Sequence, residues 1–204
     1  MLKKQIPVIM LACLLVPVMS CKTTTISVNR EEMKKIQALA VMKFECEPGI
    51  DPRIAVEAEE SFRGHFLNIG KKVVERERLN SVLKEIEKSQ AGVVDDSVQI
   101  GRLSGAQALL FGKITQNREE RKTVTYSEYD RKLKKSFQKQ KIKKFFTFQL
   151  HIRLVSTVTG DTIMTMKNKY PESDYEITDS TTLARFRERV IQGMGDDLKS
   201  EMKD

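Results

Sequence analysis

The stretch FFTFQLHIRLV constrains the fold of this chain more than any other. Phe146, Phe148, Leu150, Ile152 and Leu154 alternate there with Thr147, Gln149, His151 and Arg153. Successive side chains of a strand point to opposite faces, so a period of two places one face in a core and the other in water. A strand of this kind belongs in a sheet that is covered on one side. The TGD that follows (159–161) turns the chain, and TIMTMK is predicted as the returning strand.

Upstream, helical and extended periods alternate. The run KIQALAVMKF (35–44) is almost uninterrupted in its apolar residues and predicts a buried strand. Pro48, Gly49 and Pro52 break it. Ala55, Ala58, Phe62, Phe66 and Ile69 then recur at helical spacing, and Gly70 stands where a helix C-cap belongs. KVV (72–74) predicts a short strand. Leu79, Val82, Leu83 and Ile86 mark one face of a second helix. A short helix is expected over 97–103, with the adjacent Asp95 and Asp96 at its start, and a strand over 108–114. Leu183, Phe186, Val190, Met194 and Leu198 give a C-terminal amphipathic helix, weakened by Gly193 and Gly195. The expected architecture is α/β: a mixed β-sheet flanked by helices, with a long basic β-hairpin protrusion and a C-terminal helix.

The N-terminus has a different character. Lys3 and Lys4 precede an apolar run over 6–19, and small Ser20 precedes Cys21. A charged start, a short apolar core and a small residue before the cut are the parts of a secretory signal. The run is shorter than the ~20 residues a spanning helix needs. VMSC (18–21) resembles the lipobox of bacterial lipoproteins, with aliphatic Val18, small Ser20 and Cys21; Met19 is an unusual second residue for that motif. The resemblance implies cleavage before Cys21 and its acylation, with the membrane reached through the acyl chains. Two or more chains anchor stably where one binds marginally. The expected organisation is a leader over 1–20, a short polar tether over 21–33 and a single α/β domain over 34–204 with a basic insertion at 117–144. Lys22, rather than aspartate, follows the cysteine, which favours the outer membrane, facing the periplasm or the exterior.

Nothing in the chain points to catalysis, a metal or a cofactor. Of three cysteines, Cys13 leaves with the leader and Cys21 is acylated, so Cys46 has no disulfide partner. The two histidines are His65, on a helix beside Phe66, and His151, on the wet face of a strand. No H-E-x-x-H, G-x-S-x-G, paired Cys-x-x-Cys or phosphate-binding G-x-x-x-x-G-K-[ST] occurs.

Charge is concentrated in one place. Residues 117–144 hold eleven Lys or Arg against four Asp or Glu, a balance of +7; the rest of the chain after residue 20 sums to −1. Arg131, Lys132, Lys134, Lys135, Lys139, Lys141, Lys143 and Lys144 are the candidate contacts to an anionic surface, either lipid headgroups or an acidic envelope protein. A solvated loop kept soluble by like charge is the competing reading. Nucleic acid suits the charge but not the compartment.

Four stretches in order carry a resemblance: ALAVMKF, VVERERLNSVLKEIEKSQAG, GAQALLFGKI and LVSTVTGDTI. Together, over residues 36–166, they resemble the CsgG-like family, that of the curli production assembly/transport lipoprotein. The resemblance implies an acyl-anchored α/β domain. The family's named member forms an oligomeric pore to which each subunit gives membrane-spanning hairpins. That property is not expected here, because NREERKTVTYSEYDR (117–131) carries charge at both odd and even positions and burying one Lys or Arg at the bilayer midplane costs about 2–4 kcal/mol. The expectation is therefore a non-enzymatic accessory, scaffold or binding module of the cell envelope. A homo-oligomeric export subunit is the alternative. A second resembles the family's activators of peptidoglycan synthases.

Overall fold

The computed structural model describes residues 24–89, 96–176 and 178–202. Its elements run β1 (Thr24–Val28), α1 (Arg30–Lys35), β2 (Ala38–Val41), β3 (Glu45–Cys46), α2 (Pro52–Asn68), β4 (Lys72–Val73), α3 (Arg76–Ser89), α4 (Asp96–Ser104), β5 (Ala108–Asp130), β6 (Lys135–Ser156), β7 (Thr162–Asn168), β8 (Glu172–Glu176) and α5 (Leu183–Glu201). The strands form one mixed sheet in the order β1-β7-β6-β5-β2-β4. β2 lies parallel to β4 and β5, and β3 parallel to β5; β5–β6, β6–β7, β1–β7 and β6–β8 are antiparallel. The α/β architecture, the long hairpin and the C-terminal helix are those the sequence predicts.

The alternation in β6 does what its period requires. Phe146, Phe148, Leu150, Ile152 and Leu154 are all buried in the main core. They meet Phe62 and Phe66 of α2 and Phe186, Met194 and Leu198 of α5, so both helices lie on that face of the sheet. Pro52 opens α2, where its fixed φ suits the first turn, and the Asp51 side chain accepts from the Arg53 N–H at 3.0 Å. On the opposite face α3 and α4 cover only one corner: Leu79 and Ile100 pack on Ala40, Met42 and Leu109.

Two expectations are corrected, and one strand is new. The segment 21–33 is not a tether throughout. Thr24–Val28 is an edge strand paired with β7 from Thr24↔Asn168 to Val28↔Met164, and Ile26 and Val28 pack on the core. The run 35–44 is extended only over Ala38–Val41, with β3 following as a separate short strand. Strand β8 was not expected from its composition. Glu172, Asp174 and Glu176 are the outward residues of a strand laid along β6. Asp95, and the side chains of Leu83 and Ile86, lie outside the described residues.

Two polar side chains organise the packing. Glu59 of α2 is buried, accepts the Phe44 N–H at 2.8 Å and pairs with Arg76 at the start of α3. Asn168 is also buried. Its side-chain carbonyl accepts the Leu150 N–H at 2.9 Å and its amide donates to the Phe148 carbonyl at 2.8 Å. That side chain continues the β6 ladder where β7 ends and β8 has not begun.

Glycine permits two close approaches. The Phe44 ring lies where a Cβ on Gly112 would stand, 2.4 Å from it. The His65 imidazole, edge-on to Phe62 at 5.9 Å between centroids, lies where a Cβ on Gly195 would stand, 2.1 Å from it. Gly195 thus loses about 1 kcal/mol of helix propensity but lets α5 seat against α2. Gly195→Ala is expected to lower unfolding free energy by roughly 1–2 kcal/mol, the overpacking exceeding the propensity gain. His65→Ala combined with it should show favourable coupling, measured by urea denaturation as a double-mutant cycle.

Candidate functional site

The basic insertion is the outer part of the β5–β6 hairpin, paired continuously from Gln116↔Gln149 to Asp130↔Lys135. A register shift between Ile114 and Gln116 swaps the parity of β5. Beyond it, Thr123, Thr125, Ser127 and Tyr129 share a face with Ser136, Gln138, Gln140 and Ile142. The opposite face carries Arg118, Glu120, Lys122, Tyr126 and Glu128 with Lys135, Phe137, Lys139, Lys141 and Lys143. Both faces carry charge, as expected, though on the first face it ends at Arg121, which opposes Lys144. Neither face is apolar.

The eight predicted contact residues separate into three groups. Arg131, Lys132, Lys134 and Lys135 gather at the exposed turn, where Asp130 accepts the N–H groups of Lys132 (2.8 Å) and Leu133 (3.1 Å) and Lys134 adopts φ 50°. Lys139, Lys141 and Lys143 are engaged in ion pairs, Lys139 with Glu128 at 2.7 Å, Lys141 with Glu176 at 2.5 Å and Lys143 with Asp174. Exposed pairs of this kind contribute about 0–1 kcal/mol and exchange readily for another anion. Their carboxylates hold the Lys139 and Lys141 amines above the usual lysine range. Lys144 is different. It is buried beneath the segment leading to α5 and donates to the carbonyls of Asp179 and, at 3.2 Å, Thr181. It belongs to the architecture.

A second basic surface escaped the sequence reading. On the sheet face opposite α2 and α5, away from the corner under α3 and α4, two cross-strand rows lie open. One runs Thr25, Lys167, His151, Lys113, Glu45; the other runs Ser27, Thr165, Arg153, Phe111. They line a shallow basin of about 550 Å³ with Lys43 at its margin. The Arg153 guanidinium lies over the Phe111 ring, 5.6 Å from its centroid. Lys113 pairs with Glu47 at 2.7 Å. Burial pushes the His151 imidazole below its ordinary range, and Lys167 and Lys113 beside it push the same way. Four cations from three different strands and a connecting segment leave no local cluster for a sequence scan to find.

The remaining candidates are structural. Burial pushes His65 down, with Asp196 opposing in part. Cys46 is half-buried in β3, and burial raises its thiol, which favours the unreactive form. Among the described residues no three His, Cys, Asp or Glu gather as a metal site, and no helix is long and apolar enough to cross a membrane.

A family model for the curli production assembly/transport component CsgG matches residues 71–193, more than half of the chain. The chain belongs to the CsgG family. The match begins later than the sequence resemblance and runs on through most of α5. Solved structures are similar to the chain. The PelC L103M dodecamer from Paraburkholderia phytofirmans is 10% identical, with 89% of this chain and 99% of that chain covered at a TM-score of 0.50. Lipoprotein GNA1162 from Neisseria meningitidis is 13% identical, with 78% and 98% covered at 0.45. The LpoB C-terminal domain from Escherichia coli is 17% identical, with 69% and 93% covered at 0.40. No curated protein matches the chain.

Lys144→Ala is expected to lower stability by about 1.5–3 kcal/mol, because two carbonyls lose a charged donor. Lys132→Ala, at the turn, should change it by less than about 0.5 kcal/mol. Thermal melts of the two variants check the distinction.

Proposed function

We propose that this CsgG-family protein is an acylated lipoprotein of the cell envelope, most simply of the outer membrane, whose domain serves as a non-enzymatic accessory or scaffold module. One observation carries the reading: strand β1 begins at Thr24, three residues after Cys21. The folded domain starts where the leader-like run ends. The Lys3–Lys4 start, the apolar stretch and VMSC supply the export signal, and Cys21 supplies the thiol for acylation. The long hairpin offers the partner surface, with Arg131, Lys132, Lys134 and Lys135 at its tip and Lys139, Lys141 and Lys143 along one face.

The hairpin also favours a second reading, a subunit of an oligomeric export assembly. Beyond Lys122↔Lys143, among the described residues, β5 and β6 pair with each other alone, so both outer edges present backbone groups for a further strand. Open edges are templates for pairing with another strand. The hairpin projects about 27 Å past the last residue held by β8.

One preparation tests both. Protein extracted from membranes with detergent is expected to have the mass of residues 21–204 plus acyl chains, and Cys21→Ala to abolish that species. An unmodified chain with an intact leader would contradict the anchoring. Light scattering on the same sample, with 123–142 replaced by an Asn-Gly turn as control, separates the module from the assembly subunit. A monomer or dimer in both forms fits the module; a large ring that collapses on shortening would replace it with the export subunit.

A further inference from the structure

We propose that the open face of the sheet, opposite α2 and α5, is a docking surface for an anionic lipid bilayer. The inference rests on the acylation of Cys21 and goes beyond it by assigning the side of the domain that meets the membrane.

Chain length supplies the first argument. Only Lys22 and Thr23 separate Cys21 from β1. Two extended residues and their peptide links span roughly 10 Å. A domain held so closely by its acyl chains presses some part of its surface on the headgroups. β1 is the edge strand through which the chain enters, and Thr25 and Ser27 of that strand lie on the open face.

The second argument is the chemistry of the two faces. One is roofed by α2 and α5. The other exposes Lys43, Lys113, Arg153 and Lys167 around the basin, opposed there by Glu45 and by Glu47, which holds Lys113. These are four cations from four segments, brought to one side by strand register alone. The Arg153 guanidinium lies over the Phe111 ring, 5.6 Å from its centroid, and its planar fork of donors suits a phosphodiester oxygen pair. The basin floor of Phe111, Gly112, Ile152 and Met166 contributes no charge. His151 stands between Lys167 and Lys113 in its row. The same side of β6 continues into the hairpin as Lys143, Lys141, Lys139 and Lys135. Lys143, Lys141 and Lys139 are paired there with Asp174, Glu176 and Glu128, so they reach an anionic surface by exchanging those partners.

The test uses residues 21–204 with Cys21→Ser, since every described element lies from Thr24 onward, and removes the acyl chains as a source of affinity. Co-sedimentation is measured with vesicles of phosphatidylglycerol and phosphatidylethanolamine, and with vesicles of phosphatidylcholine alone. Lys113→Glu/Arg153→Glu/Lys167→Glu reverses the open face. Arg53→Glu/Arg185→Glu/Lys199→Glu makes the same change of charge on α2 and α5. The expected result is binding to the anionic vesicles only, released by salt, with the open-face variant weakened about tenfold or more and the helix-face variant by about twofold or less. Equal loss in the two variants, or equal binding to both vesicles, overturns the docking surface. A thermal midpoint retained by the open-face variant ties its loss to charge, and the salt titration of the unsubstituted chain stands apart from any variant. A Cys21 found unacylated in the extracted protein overturns the anchoring instead, leaving the vesicle result to be judged on its own.

Discussion

The pairing of β5 with β6 is the interaction on which the rest of this molecule depends. It runs from Ala108↔Ser156 at one end to Asp130↔Lys135 at the other, interrupted by one shift near Ile114. Its inner part is the middle of the sheet. β2 and β3 join it on one side, and β7 and β8 on the other. Its apolar face seats α2 and α5. Its outer part leaves the domain with no helix to cover it. An isolated two-stranded hairpin is marginal in water, so the outer part draws its order from the base. The cation over an aromatic ring at Lys122–Phe145 and at Lys141–Tyr126, 5.0 Å in each case, adds to it.

Buried polar groups then fix how the other elements meet this ladder. Glu59 joins three segments, the exit of β2, α2 and the start of α3, through the Phe44 N–H and Arg76. Asn168 closes the gap between β7 and β8. Lys144 ties the hairpin base to the approach of α5. Each satisfies a group that burial would otherwise leave without a hydrogen bond, a loss of about 1–3 kcal/mol apiece.

What was legible in the sequence follows from how local the signal is. Phe146 to Leu154 carry their period within one strand, and Phe62, Phe66, Phe186 and Met194 carry theirs within one helix. The basic insertion was legible as charge. The failures are long-range. β1 looks like a polar tether because TTISV buries little by itself, and only its pairing with β7 makes it a strand. β8 is not foreseen because the lysines that answer Asp174 and Glu176 lie some thirty residues away on β6. Lys144 is indistinguishable from Lys143 by composition, yet strand parity turns one into the interior and the other toward solvent. Lys43, Lys113, Arg153 and Lys167 converge only through register.

In the proposed arrangement, an acylated Cys21, an edge strand that starts almost at once and a cationic open face would give the domain one orientation on the bilayer. Depth-dependent quenching reads that orientation directly. The acylated protein, carrying Cys46→Ser and a single fluorophore on a cysteine at Thr165 or at Val56, would be reconstituted in anionic vesicles with quencher on the headgroups. The predicted result is strong quenching from Thr165 on the open face and little from Val56 on α2. Quenching from Val56 alone, or from neither, would contradict it.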